Sequence, residues 1–189
     1  MKKVNLKIPL GGHDVEKLRL GDVVYLSGTV FTARDMAHKR MKENVERGKR
    51  IPFSLEGAAL FHAGPIVRGK EIIAIGSTTS ARMDEYAPLV FKLGVRALIG
   101  KGGMGKEGRE AVTRFGCVYL AWPGGCAAVG REFFKTVKVY WEELGMAEAV
   151  WELKAKNFGP LIVGIDSTGC SLYDEVLSAA RKKLGKGNF

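Results

Sequence analysis

Three segments of this sequence repeat one design, in which a short apolar run ends in a glycine- or hydroxyl-rich loop, a cation follows, and a helix begins. The apolar runs are short and bounded by turn residues, a pattern that predicts buried strands. The loops with their cations are Thr32-Ala33-Arg34-Asp35, Thr78-Thr79-Ser80-Ala81-Arg82 and Lys101-Gly102-Gly103-Met104. If the strands lie together in one sheet, Arg34, Arg82 and Lys101 converge at one edge. Three cations with several backbone N–H donors would bind a small dicarboxylate there.

The second of these segments is the most informative. It belongs to the stretch Gly76-Ser77-Thr78-Thr79-Ser80-Ala81-Arg82-Met83-Asp84, which follows the apolar run at 72–75. Hydroxyl residues and an arginine at a strand-to-helix junction place N–H groups, hydroxyls and a guanidinium around one space, and such a space fits an anion. The simpler alternative is a hydroxyl-rich helix cap with a surface arginine.

The rest of the chain alternates between strand and helix patterns. We predict strands over residues 4–10 (an edge strand), 23–30, 60–61, 72–75, 95–99, 117–121, 137–141, 149–153 and 161–166. We predict a helix that begins after Thr32, its N-cap, with Asp35 three residues on, and runs to about residue 48. Further helices are predicted over 85–93 with Pro88 in the first turn, over 107–115 and over 172–184. Turns are predicted at 11–14 and 157–160, and a hairpin turn at 68–70.

One face of the first long helix combines polar and apolar residues. Arg34, His38, Met41 and Val45 have helical spacing and therefore share this face. The face is polar at its N-terminal end and apolar beyond, as in a helix that points its first turn into a cleft and buries the remainder. The alternative is that Arg34 and His38 are surface residues or a satisfied pair in the core.

Composition excludes several classes of protein. With 189 residues, 46% of them hydrophobic, and no long linker, we predict one domain over 1–189 with a frayed tail at 184–189. Lys and Arg exceed Asp and Glu by 30 to 20, but the surplus is spread along the sequence, so no nucleic-acid partner is predicted. No apolar run is long enough for a membrane span and the N-terminus lacks a signal-peptide pattern, which predicts a cytoplasmic protein.

The three cysteines, Cys117, Cys126 and Cys170, are odd in number and widely spaced. This pattern argues against a disulfide framework and fits a reducing compartment. None of the three has the close spacing of cluster ligands, and we predict buried structural thiols.

A glycine-rich loop, Gly100-Lys101-Gly102-Gly103-Met104-Gly105-Lys106, fits the G-x-x-x-x-G-K pattern of a nucleotide-binding P-loop. The next residue is Glu107, where that motif needs Ser or Thr to hold magnesium, and a carboxylate there would repel a phosphate. A stand-alone anion- or nucleotide-binding module that uses this loop is therefore an alternative function. The loop N–H groups with Lys101 would also fit a smaller anion such as a carboxylate.

Five motifs occur in order along nearly the whole chain. They are TARDMAH at 32–38, LFHAGPIV at 60–67, GSTTSARMD at 76–84, KGGMG at 101–105 and GIDSTG at 164–169. Together they resemble the β subunit of class I fumarate hydratase and of its sister enzyme, L-tartrate dehydratase. The resemblance implies a single α/β domain of the swivelling β/β/α type, with a mixed central sheet and flanking helices. It implies reversible hydration of fumarate to L-malate, with L-tartrate dehydration as the alternative.

The same resemblance implies roles for individual residues. Thr78, Lys101 and Arg82 would be catalytic, with Thr78 as the base. The substrate-binding residues would be Arg34, Arg82, Lys101, Thr79 and Gly102, and the candidate supporting residues are Asp35, His38 and His62. A threonine base makes chemical sense where fixed cations stabilise the aci-carboxylate that forms when a proton leaves the carbon beside a carboxylate.

The resemblance also implies partners and a cofactor. No cofactor or metal is expected on this chain, because a separate α subunit would carry a 4Fe–4S cluster whose open iron acts as a Lewis acid toward the departing hydroxyl. The expected partners are that α subunit, a four-carbon dicarboxylate, and a second copy of this chain within an α2β2 assembly.

Overall fold

The computed structural model describes residues 1–69 and 71–185. The strands are β1 (Lys3–Lys7), β2 (Val23–Thr32), β3 (Ala59–Phe61), β4 (Ile66–Arg68), β5 (Glu71–Ala74), β6 (Ala97–Gly100), β7 (Val118–Ala121), β8 (Phe134–Tyr140) and β9 (Val150–Ile165). The α-helices are α1 (Gly12–Glu16), α2 (Asp35–Glu46), α3 (Ala87–Lys92), α4 (Lys106–Phe115), α5 (Ala127–Gly130) and α6 (Leu172–Leu184). The 3₁₀ helices span Ser80–Tyr86, Arg131–Phe133 and Glu142–Leu144.

Five strands close into a barrel. They pair in the order β2, β3, β6, β7 and β9, and β9 returns to pair with β2. The pairs among β2, β3, β6 and β7 are parallel, whereas β9 is antiparallel to both of its barrel neighbours. Strand β1 extends the sheet beside β2, and β8 extends it beside β9. The sheet is therefore mixed, and the α/β class with a mixed central sheet and flanking helices is confirmed.

Both faces of the central strands are buried, and each faces a different layer. In β3, Ala59 and Phe61 belong to the cluster inside the barrel, whereas Leu60 packs in the layer beneath the helices. In β7 the same alternation puts Leu120 inside and Tyr119 outside. Residues of α2, α3 and α4 complete the outer layer. This burial on both faces explains why the strands are nearly continuous apolar runs.

Several predicted elements are confirmed. The edge strand is β1, although it ends at Lys7, and the helix predicted over 172–184 is α6. Pro88 lies in the first turn of α3. The hairpin is formed by β4 and β5, with Lys70 outside the described residues. None of the helices in residues 1–69 and 71–185 is long and apolar enough to cross a membrane.

Two predictions near β9 and β2 are wrong. The turn predicted at 157–160 lies inside β9, which runs without a break for 16 residues. Asn157 has a φ of 49°, and the β2–β9 register shifts nearby, so the residues that resemble a turn form an irregularity within a paired strand. Thr32 is the last residue of β2 and accepts a hydrogen bond from the Trp151 N–H, so the N-cap of α2 is Arg34.

Other local predictions also need correction. Among the described residues, strand β5 pairs with β4 alone, so the apolar run at 72–75 belongs to a small separate sheet and not to the barrel. The turn predicted at 11–14 is the start of the short helix α1. Val45, expected to be buried on α2, is 37% exposed, whereas His38 and Met41 are buried. Residues 186–189 of the predicted frayed tail lie outside the described residues.

Candidate active site

The hydroxyl segment at 78–80 is attached to the end of barrel strand β6. The Thr78 N–H donates to the His62 carbonyl at 2.6 Å, and the Ser80 N–H donates to the Lys101 carbonyl at 3.0 Å. The Lys101 N–H in turn donates to the Thr78 carbonyl at 3.2 Å. A Cβ on Gly102 would lie 3.6 Å from the Thr79 methyl group. The second and third cation-bearing loops are therefore adjacent even though β5 lies outside the barrel.

Arg82 forms a two-point contact with Asp35. Its Nε donates to Oδ1 of Asp35 at 3.1 Å, and its Nη2 contacts Oδ2. Burial raises the pKa of Asp35 and is the largest single effect, but the hydrogen bonds from Arg82 and from the backbone, together with the charges of Arg82 and Arg34, outweigh it, so the pKa is lowered. The Asp35 hydrogen bond likewise raises the pKa of Arg82. The contact joins the hydroxyl segment to the first turn of α2.

Arg34 lies beside this pair and faces a second carboxylate. Its Nε is 3.3 Å from Oε1 of Glu148, and Oε2 of Glu148 accepts a hydrogen bond from the Met36 N–H at 2.9 Å. Glu148 is also close enough to raise the pKa of Arg82 by its charge. We call the four side chains Arg34, Asp35, Arg82 and Glu148 the arginine cluster. It holds two cations and two anions, so neither arginine is without a carboxylate.

Lys101 adjoins the hydroxyl segment through its backbone hydrogen bonds with Thr78 and Ser80. Its aliphatic chain passes within 3.3 Å of where a Cβ on Gly124 would lie. With Gly102, Trp122 and Tyr173 it lines a largely apolar cavity of about 740 Å³. Within residues 1–69 and 71–185, Lys101 has no carboxylate within 4.0 Å. Among the three predicted substrate cations, Lys101 is therefore the one without an ion pair in the described part of the chain.

The two histidines proposed as supporting residues lie beneath the site and are fully buried. Their ring centroids are 5.2 Å apart in an edge-on arrangement. His38 Nδ1–H donates to the Arg34 carbonyl at 2.8 Å, and His62 Nδ1 is 2.9 Å from the Ser80 hydroxyl. Burial lowers the pKa of His38 to about 4 and that of His62 well below its usual value. Both rings are therefore neutral near pH 7 and offer no charge to an anion.

This burial predicts that the fold weakens as the pH falls. The unfolded chain protonates His38 near pH 6.5, whereas the folded chain does so only near pH 4, so stability is lost between these two values. The loss from His38 alone is roughly 3 kcal/mol in the free energy of unfolding. Urea unfolding at pH 7, 6, 5 and 4 should show this loss, and His38→Gln should reduce it. His13→Gln, at an exposed histidine, is the matched control, and equal pH dependence in all three proteins would contradict the prediction.

The glycine loop differs from a nucleotide-binding loop in the use of its N–H groups. Oδ1 of Asp84 accepts hydrogen bonds from Gly105 N–H at 2.7 Å and from Gly108 N–H at 3.1 Å. These are the donors at the start of α4 that a phosphate would use. Lys106 points away to an exposed ion pair with Glu110. The internal carboxylate of Asp84 therefore occupies the anion position, which disfavours the nucleotide-binding alternative.

The comparison with known proteins agrees with the motifs. A family model described as "Fumarase C-terminus" matches residues 1–176. The chain belongs to the Fumarase C-terminus family. The resemblance found in the five motifs is thereby confirmed over most of the chain.

Relatives of this Fumarase C-terminus chain have two kinds of name. A "Putative L(+)-tartrate dehydratase subunit beta" of Methanocaldococcus jannaschii is 47% identical in an alignment of 180 residues that covers 92% of this chain and 92% of the relative. The "L(+)-tartrate dehydratase subunit beta" of Escherichia coli K12 is 41% identical over 93% of this chain and 88% of its own. A "Putative fumarate hydratase class I" of Geobacillus stearothermophilus is 33% identical over 97% of this chain but only 36% of its own length.

The cysteines of this family member do not form a ligand set. Cys117 is buried, Cys126 is half-buried and Cys170 is exposed, so the prediction of three buried thiols holds only for Cys117. Burial raises the pKa of the Cys117 thiol to about 11, which disfavours the thiolate that iron requires. Within residues 1–69 and 71–185, no three His, Cys, Asp or Glu side chains come together in a metal-binding group. The described residues therefore do not fit a 4Fe–4S cluster.

Sequence patterns missed four residues that shape the site. Ser80 was included in the hydroxyl run without a role, and Asp84 ended the same stretch. Tyr119 lies in an apolar strand, and its hydroxyl donates to the Ser80 hydroxyl at 3.2 Å. Glu148 follows a region without a motif and is 114 residues away from Arg34. Only Asp84 carried a signal, since an acid before a glycine-rich helix start is a plausible cap.

Proposed function

We propose that this chain is the β subunit of a class I hydro-lyase that adds water to, or removes it from, a four-carbon dicarboxylate. The supporting observation is the arrangement around the hydroxyl segment, which is followed by Arg82 of the arginine cluster and is hydrogen-bonded to the backbone of Lys101. Guanidinium groups bind carboxylates in a two-point geometry, as Arg82 does with Asp35. Family membership and the names of the relatives support the class of reaction.

The proposed substrate pair is fumarate and L-malate. The fumarase family model spans most of the chain, and the Geobacillus relative is named a fumarate hydratase. L-tartrate is the second candidate, because the relatives from Methanocaldococcus and Escherichia match over nearly their full lengths and are named tartrate dehydratase subunits. Both substrates carry two carboxylates on four carbons, so the same cations serve either one.

In this proposal the residues of this chain bind the substrate and move one proton. Arg82 and Lys101 bind the carboxylate beside the carbon that loses the proton, and Arg34 binds the other carboxylate. Thr78, as its alkoxide, takes that proton through Oγ1, and the electron pair of the C–H bond moves into the carboxylate. The doubly charged aci-carboxylate that results is stabilised by the fixed cations. Its collapse forms the C=C bond and expels the hydroxyl from the neighbouring carbon.

Departure of the hydroxyl is assigned to the partner. Because the described residues do not fit an iron–sulfur cluster, we propose that the cluster belongs to a separate α subunit. An α2β2 assembly and a cytoplasmic location are further parts of the proposal. Thr78 is half-buried and Thr79 is exposed, so the hydroxyl segment is open to a substrate held between two subunits.

The purified chain alone is expected to fold, to be colourless and to lack hydratase activity. Mixing it with its cognate α subunit, iron and sulfide under anaerobic conditions should produce a brown complex that hydrates fumarate. Absorbance at the cluster bands measures formation of the brown complex, and assays with fumarate, L-malate and L-tartrate measure its activity. Turnover by a cluster-free preparation of this chain would contradict the proposal, and tight binding of ATP by that preparation would favour the stand-alone module.

A further inference from the structure

A chain of buried hydrogen bonds lies directly beneath the proposed site. The Tyr119 hydroxyl donates to Oγ of Ser80 at 3.2 Å, and Oγ of Ser80 is 2.9 Å from Nδ1 of His62. All three side chains are fully buried. Tyr119 lies on β7, Ser80 begins a 3₁₀ helix, and His62 directly follows β3. These hydrogen bonds therefore join three separate parts of the fold.

The available donors and acceptors assign which group donates at each step of this series of hydrogen bonds. A serine hydroxyl has one proton to donate. Since Ser80 accepts from Tyr119, its own proton is satisfied when it donates to Nδ1 of His62. His62 then carries its proton on Nε2, which has no hydrogen-bond partner among the described residues. The opposite direction, in which Nδ1–H of His62 donates to Ser80, would require Ser80 to donate to the Tyr119 oxygen and the Tyr119 hydroxyl to donate elsewhere.

The space for Ser80 depends on a glycine. A Cβ on Gly100, the last residue of β6, would collide with Oγ of Ser80 and lie 3.3 Å from the Thr78 carbonyl. Any other residue at this position would push the hydroxyl segment away from β6. The close approach of the two segments therefore requires both the absence of a side chain at Gly100 and the small side chain of Ser80.

Two members of this hydrogen-bonded trio, His62 and Ser80, are also connected to the backbone of a proposed catalytic residue. The His62 carbonyl accepts from Thr78 N–H, and the Ser80 N–H donates to the Lys101 carbonyl. The Lys101 N–H donates to the Thr78 carbonyl, so these two residues are also bonded to each other directly. Movement of Ser80 or His62 would therefore change the separation of Thr78 and Lys101. Three apolar side chains in place of Tyr119, Ser80 and His62 would fill the same volume but would not fix the positions of Thr78 and Lys101.

We propose that Ser80 is a positioning residue for the hydration reaction, because its hydroxyl, held between Tyr119 and His62, fixes Thr78 relative to Lys101. This inference rests on the proposed function. Ser80 itself is fully buried and does not reach the substrate, so it acts through the residues beside it. Oγ1 of Thr78 and the ammonium group of Lys101 must be positioned relative to the substrate to within a fraction of an ångström, because small displacements of catalytic groups lower the rate of reaction strongly.

The test compares Ser80→Ala, Tyr119→Phe and Ser77→Ala in the assembled complex. Ser77 is the matched control, because it is a buried serine that directly precedes the hydroxyl segment. Its hydroxyl donates to the carbonyls of Trp122 and Pro123 and takes no part in the hydrogen bonds among Tyr119, Ser80 and His62. We expect Ser80→Ala to lower kcat by about tenfold to 100-fold while KM stays within about threefold. Tyr119→Phe should lower kcat less, since Ser80 keeps its bond to His62.

A second readout does not depend on turnover. Hydrogen exchange, measured by mass spectrometry on the same complexes, should become faster in the peptides that contain Thr78, Ser80 and Lys101 in Ser80→Ala but not in Ser77→Ala. If Ser80→Ala does not assemble, Tyr119→Phe decides by the same two measurements. Unchanged kcat, unchanged exchange, or equal effects of Ser77→Ala would each overturn the inference. A parent complex that neither hydrates fumarate nor dehydrates L-malate or L-tartrate overturns the proposed function instead. Hydrogen exchange then decides whether Ser80 holds the two segments together.

Discussion

Replacing Arg82 with lysine is expected to lower kcat/KM of the assembled enzyme by roughly 30-fold to 1000-fold, about 2 to 4 kcal/mol of transition-state stabilisation. An ammonium group is a point charge and cannot reproduce the two-point contact of a guanidinium with a carboxylate. The side chain of Arg82 is 49% exposed, so its ion pair with Asp35 contributes little to the stability of the fold. The loss should therefore appear in steady-state kinetics with fumarate and not in urea unfolding.

A surface arginine provides the control for this change. Arg109, on α4, contacts Asp174 of α6 through one guanidinium nitrogen, its side chain is 33% exposed, and it is not one of the proposed substrate residues. Arg109→Lys should leave kcat/KM unchanged. Equal activity of the Arg82→Lys and parent complexes would place Arg82 outside the substrate site.

Thr78→Val tests the mechanism and should remove most of kcat while leaving assembly and substrate affinity intact. Valine is nearly the same size as threonine, and loss of a general base costs about 100-fold or more in rate. If Thr78 served only as a helix cap, the loss would instead be about 1 kcal/mol of stability with catalysis retained. Stopped-flow kinetics and urea unfolding separate these outcomes. Thr136→Val, at a half-buried threonine on β8, is the matched control.

Isotope exchange gives an independent check on Thr78. The assembled enzyme should catalyse exchange of the proton beside the carboxylate of L-malate with deuterium from heavy water, and Thr78→Val should lose this exchange. Retained exchange in Thr78→Val would assign proton removal to another residue and would disprove the role given to Thr78.

The sequence predicts the barrel strands well because their burial pattern is local. Runs such as 95–99 and 117–121 are short and apolar, and both correspond to barrel strands, β6 and β7. Local patterns predict two strands in place of β9, because Asn157, Gly159 and Pro160 are turn residues in most contexts. Its pairing with β2, β7 and β8, which are distant in sequence, overrides that local preference. The exchange of partners along one long strand cannot be seen in a local window.

The candidate site shows the same division between local and distant information. The segments that contain Arg34, Thr78 and Lys101 are recognisable because each combines its loop and its cation within a few residues. The contacts that surround them are long-range: Arg82 meets Asp35 from 47 residues away. The role of Ser80 depends on Tyr119 and His62, which lie in strands or at strand ends that show only an apolar pattern. Whether these residues act as proposed stays a prediction for the experiments above.

The ion pairs of the arginine cluster affect the free energy and the selectivity of substrate binding. Because Arg34 and Arg82 already face Glu148 and Asp35, a dicarboxylate that binds them exchanges one set of ion pairs for another. Attraction between charges then contributes little to the net free energy of binding, because the carboxylates of the substrate replace carboxylates of the protein. Selectivity would come from the fixed distance between the two guanidinium groups, which a molecule with two correctly spaced carboxylates can match. Chloride and monocarboxylates, which satisfy only one arginine at a time, should therefore be weak competitors even for a protein with ten excess positive charges.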